Sequence, residues 1–165
     1  MGPLTAEKLR HVNNHLTPLA VLVVVPGLLV ARLSRLEILL SVGLLAYAVL
    51  TNALVTVLLQ RNVELLTKLR VISNYVVNIA LVLLLYRVWP SIWLVLLLMS
   101  VGPALYQSRR DATLTGVAVA ALLLVVHGAF GTYSAVAWAD AGVKASTIVV
   151  LSLFVSGLAG MLERG

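Results

Sequence analysis

Six long apolar runs, at 16–31, 36–59, 69–88, 91–106, 113–130 and 145–162, constrain this chain more than any other feature of its sequence. Each is close to the about 20 residues that a helix needs to cross the hydrocarbon core of a bilayer. Only 11% of the 165 residues are charged, against about 25% in an ordinary soluble domain. A single water-soluble core of this size would leave too much apolar surface exposed, so the bilayer is the expected solvent. Leucine-rich runs of this length without period-two alternation exclude membrane strands. The expected fold is an all-α membrane protein, a six-helix transmembrane bundle with short loops, forming one domain over 16–165.

The breaks between the runs carry helix punctuation. Ser34 and Glu37 have the spacing of a capping box, which predicts a new helix there. Pro90 falls where a missing amide hydrogen costs least, in the first turn of the fourth span, and Asp111 is placed to cap the fifth. Gly131 suits the end of the fifth helix. Pro26 and Pro103 interrupt the first and fourth spans and permit kinks. The first and fourth runs are short, and they fit a bilayer by standing upright, borrowing polar flanks or thinning it locally.

Orientation follows from the basic residues of the short connections. With the N-terminus inside, Lys8, Arg10, Arg61, Lys68, Arg70, Arg109, Arg110 and Arg164 are cytoplasmic and Arg32, Arg35, Arg87 and Lys144 are external. The excess places both ends in the cytoplasm. Tyr86, Trp89, Trp93, Tyr133 and Trp138 then gather at the outer interface and Tyr106 at the inner one. No small-x-small cleavage site follows the first run, which therefore reads as an uncleaved anchor. Ahead of it, in 1–15, Leu9 and Val12 lie opposite Glu7 and Arg10, as in a juxtamembrane amphipathic helix on the inner surface. The net charge of +6 is scattered singly, which suits anionic lipid headgroups and not nucleic acid.

The residue inventory predicts no enzyme, cofactor or metal site. There is no cysteine, and all six carboxylates, Glu7, Glu37, Glu64, Asp111, Asp140 and Glu163, fall in loops or at span ends. His127 is the only histidine within a run. A haem or metal would need further ligands, so an interfacial histidine satisfied by water is the plain expectation and external pH sensing the functional alternative. Asn74 and Asn78 share a helix face with Arg70, and antiparallel pairing of the second and third spans brings Asn52 between them. These three amides form either packing contacts or a ligand-binding or switching cluster. Ser152, Ser156 and Gly160 recur on the last span as a small-residue face, for packing within the chain or for a homodimer.

The stretch 74–111, in which an apolar span ending in LLLYRVWP leads into one closing with YQSRRDA, resembles the N-terminal multi-pass membrane sensor region of bacterial histidine kinases and related signalling proteins. The resemblance implies a cell-membrane location and a sensory or signal-transducing module. The sequence holds no phosphoacceptor helix or ATP-binding domain, so the resemblance further implies a detached or stand-alone sensor acting through a signalling partner. Two other classes stay open: a small transporter or channel subunit lined by Asn52, Asn74 and Asn78, and a structural or assembly subunit of a membrane complex.

Overall fold

The computed structural model describes residues 19–58, 63–105 and 107–162, with the side chains of 55–71 and 162 left aside. The expected juxtamembrane segment 1–15, Tyr106, and the contribution of Arg70 to the asparagine face lie outside these described residues. Six α-helices follow one another: α1 (Leu19–Val30), α2 (Arg35–Leu58), α3 (Val63–Leu85), α4 (Trp93–Ala104), α5 (Arg109–Phe130) and α6 (Ala135–Leu162). A single 3-10 turn, Pro90–Ile92, leads into α4. No strand occurs among the described residues. Three helical segments are long and apolar enough to cross a membrane: Arg35–Leu54, Arg109–Phe130 and Ala135–Met161. The apolar segments Leu19–Val30, Ile72–Leu85 and Pro90–Ala104 are shorter, so length and composition identify three spans where six were expected.

The helices alternate in direction, and the turns 31–34, 86–89 and 131–134 lie at one end of the bundle, here the upper end. Helix α5 buries Ala112, Gly116, Val119, Ala120, Leu123, Val126 and His127, a stripe spaced at three and four residues. It meets the stripe Ala141, Ala145, Ile148, Ser152 and Ser156 of α6. A Cβ added to Gly116 would lie 3.1 Å from Ser152 Cβ, so glycine permits the close spacing of the pair at this level. Helix α4 packs on α3, α5 and α6, whereas α2 packs chiefly on α3. The core is filled by Leu81, Leu85, Ile92, Leu96, Leu123 and Ile148. The outward faces are apolar as well: Leu22, Leu29, Leu39, Leu50, Val125 and Val136 are each about two-thirds exposed or more.

The capping box forms as the spacing predicts: Ser34 N–H donates to Glu37 Oε2 at 2.7 Å, and Glu37 N–H donates to Ser34 Oγ at 3.3 Å. Four expectations are corrected. Ser108, not Asp111, caps α5; its Oγ accepts from Asp111 N–H at 3.2 Å and its hydroxyl donates to Asp111 Oδ2 at 2.7 Å. The carboxylate supports the cap from the first turn. The sixth helix begins at Ala135, ten residues before the expected 145, because Ser134 caps it and alanines carry it, while the Asp140–Lys144 ion pair lies one turn apart. The charges that suggested a loop belong to a helix surface. The third helix likewise begins at Val63 rather than 69. Pro103 lies in the last turn of α4 and ends the helix instead of kinking its middle.

Candidate functional site

Polar ties between helices concentrate at two levels, with three residues of α3 at the lower one and Tyr86, just past its end, at the upper one. At the lower level, three consecutive residues of α3 reach separate groups. The Ser73 hydroxyl donates to Tyr47 Oη of α2 at 3.3 Å. The Asn74 and Asn52 side chains donate to one another, Asn52 Nδ2 to Asn74 Oδ1 at 3.1 Å and Asn74 Nδ2 to Asn52 Oδ1 at 3.3 Å. Such a reciprocal amide pair satisfies both carbonyls where lipid offers nothing, and bonds of this kind contribute about 1 kcal/mol or less each. Asn52 is buried, while Asn78, one turn above Asn74, is half-buried. The structure thus brings Asn52 to Asn74.

The third residue, Tyr75, reaches the opposite way. Its hydroxyl donates to the carbonyl oxygen of Met99 on α4 at 3.3 Å. The residue four positions on from Met99 is Pro103, which has no N–H to offer that carbonyl. Tyr75 supplies the missing donor, so the proline and the tyrosine form one device that ties α4 to α3.

At the upper level, His127 is 7% exposed and enclosed by three elements. Its Nδ1 is 2.9 Å from the Tyr86 hydroxyl, just beyond the end of α3. The imidazole meets Trp138, in the first turns of α6, edge to face with 4.8 Å between ring centroids. Gly131 closes the site. Its φ of −81° needs no glycine, yet an added Cβ would fall 2.5 Å from His127 Nδ1. The glycine is therefore required for space beside the ring and beside the His127 carbonyl oxygen, 2.6 Å from the added Cβ, and not for a left-handed cap. His127 is buried and not open at a surface: Tyr86 partners one nitrogen, and Nε2 is buried with no hydrogen-bond partner among the described residues. Nearby, the Tyr133 hydroxyl donates to the Gly128 carbonyl, and Trp138 lies over Gly128.

The same end holds a further lock. A Cβ on Gly27 of α1 would lie 2.7 Å from the indole of Trp89, so the ring seats directly on the α1 backbone. Trp89 and Trp93 pack against the core and do not simply float at an interface, whereas Tyr133 and Trp138 are exposed. Trp89 Nε1 and Ser41 Oγ are buried without hydrogen-bond partners.

On α6, Ser152 and Ser156 are buried, with Ser152 against Gly116, but a Cβ on Gly160 would meet nothing within 4 Å. The close-packed part of that face ends at Ser156. Tyr86 and Trp138 escaped the sequence as partners because each reads individually as a membrane-interface aromatic, and Tyr75 because a tyrosine inside an apolar run names no partner. The usable signals were local: a glycine four residues after His127, and a proline four residues after Met99. Among the described residues no cluster of three or more metal-ligating side chains occurs. No family model, no curated protein and no solved structure matches the chain.

Proposed function

We propose that this chain is a six-span membrane protein with both ends in the cytoplasm that passes a change from one membrane face toward the other, a sensory or signal-transducing module acting through a partner. The observation that carries this reading is the double attachment of α3. Tyr86 at its upper end is held by His127 of α5, and Asn74 lower down is held by Asn52 of α2. The twelve residue steps of near-continuous helix from Asn74 to Tyr86 span about 18 Å. A helix fixed at both levels moves as a rod, so displacement of Tyr86 reaches the Asn52–Asn74 pair.

The same attachments support six spans, because α3 must cover the depth that α2 and α5 cover. Its short apolar segment then borrows the polar residues below Ile72 or thins the bilayer. The excess of basic residues in the lower connections orients the His127 end outward. The likeness of 74–111 to histidine-kinase sensor regions supports the same class of function. The test is a distance measurement between spin labels at Leu54→Cys and Val76→Cys, both exposed positions near the asparagine pair, in bilayers. Tyr86→Phe, which removes the hydrogen bond to His127, should shift or broaden the distribution. Identical distributions would show that α3 transmits nothing and would remove the reading.

A further inference from the structure

We propose that His127 is a proton-binding site whose occupancy moves the first turns of α6, an inference that takes the signalling role above as its premise and names its input. The geometry gives the imidazole one satisfied nitrogen and one unsatisfied nitrogen. Nδ1 has the Tyr86 hydroxyl at 2.9 Å, and Nε2 is buried without a partner. In the neutral ring either tautomer is accommodated, since the phenol both donates and accepts. Once protonated, the ring donates from both nitrogens. Nδ1–H keeps the Tyr86 oxygen as acceptor, but Nε2–H points where no acceptor stands, and a buried charge without a full set of partners is costly.

Relief requires the ring to turn or water to enter. Gly131 lies beside Nδ1, close enough that a Cβ there would fall 2.5 Å from it, and leaves only the space of its missing side chain. Trp138 stands on another side, set edge to face against the imidazole. Its indole is attached to α6 and is 40% exposed, so it is the part that yields. The charged and titratable groups at this end come from every neighbouring element. They are Tyr86 and Arg87 after α3, Tyr133 in the α5–α6 turn, Asp140 with its ion-pair partner Lys144 on α6, and Arg32 and Arg35 around the start of α2. Asp140 is close enough to Tyr86 to act on its hydroxyl electrostatically. The carboxylate and the ammonium of the Asp140–Lys144 pair therefore act on a charge at His127 with opposite signs.

The experiment is a tryptophan-emission titration of the full chain in bilayers over about pH 5 to 8, the range in which histidine changes charge. An imidazolium against Trp138 quenches its emission. The expected result is a one-proton loss of emission on acidification that is absent in both His127→Gln and Trp138→Phe. Asp140→Asn and Lys144→Gln, which leave the cluster's packing intact, should displace the midpoint in opposite directions. Because the chain has no cysteine, labels at Leu83→Cys and Val136→Cys can follow α6 against α3, and their separation should change with pH only while His127 is present. A wild-type curve without a transition, or one that persists in His127→Gln, overturns the proton site. If the transition and the α6 movement occur but the Leu54–Val76 separation is indifferent to both pH and Tyr86→Phe, the site stands and the signalling reading falls. If Tyr86→Phe alters that separation while emission is flat with pH, the signalling reading stands without the proton.

Discussion

Three glycines of this chain do different work, and alanine distinguishes them. At Gly131 an added methyl falls 2.5 Å from the His127 ring, and at Gly27 it falls 2.7 Å from the Trp89 indole. Overpacking of a closed site generally costs about 1 to 3 kcal/mol. Gly131→Ala and Gly27→Ala should therefore each lower the midpoint of thermal unfolding in detergent. Gly160→Ala meets nothing within 4 Å and removes a poor helix former, so it should leave the midpoint unchanged or raise it slightly. A Gly160→Ala loss as large as the other two would mean that this position is covered by something beyond the chain. Residue-level chemistry was partly legible in the sequence. The Ser34–Glu37 spacing predicted the cap that forms, and register alone brought Asn52 level with Asn74. The enclosure of His127 was not legible, because it depends on side chains from three separate elements converging on one ring.

Among the elements, the join of α3 to α4 depends on a proline in one and a tyrosine in the other. Tyr75→Phe leaves the Met99 carbonyl without its donor in an apolar setting. Pro103→Ala restores a backbone N–H four residues beyond that carbonyl, so the loss from Tyr75→Phe should be smaller in the Pro103→Ala background. The coupling expected in a double-mutant cycle is about 0.6 kcal/mol, the average for interhelical hydrogen bonds in membranes. Additive effects would show that Tyr75 contributes by packing alone. Helix boundaries followed the same pattern of partial legibility. The start of α2 is written in a capping box, whereas the start of α6 is hidden by Asp140 and Lys144, which suggest a loop in sequence and sit one turn apart on a helix in space. A charged residue marks the end of a hydrophobic run more reliably than it marks the end of a helix.

For the molecule as a whole, the proposed six-span arrangement predicts the turns 31–34, 86–89 and 131–134 on one side of the membrane and the α4–α5 connection on the other. Single cysteines at Thr132 and Ser108, both exposed and outside the helices, should react with a membrane-impermeant thiol reagent from opposite sides of oriented vesicles. Reaction of both from one side would show that an element between them turns back without crossing. The seating of Trp89 on Gly27 also bears on biosynthesis. Helix α1 leaves the ribosome long before Trp89 exists, and until that indole arrives, its glycine notch has no occupant. The notch on α1 therefore stays open while α2 and α3 are synthesised. The seat of Trp89 on α1 can close only once the turn after α3 has been made, so this contact of the first helix belongs to a later stage of synthesis than the helix itself.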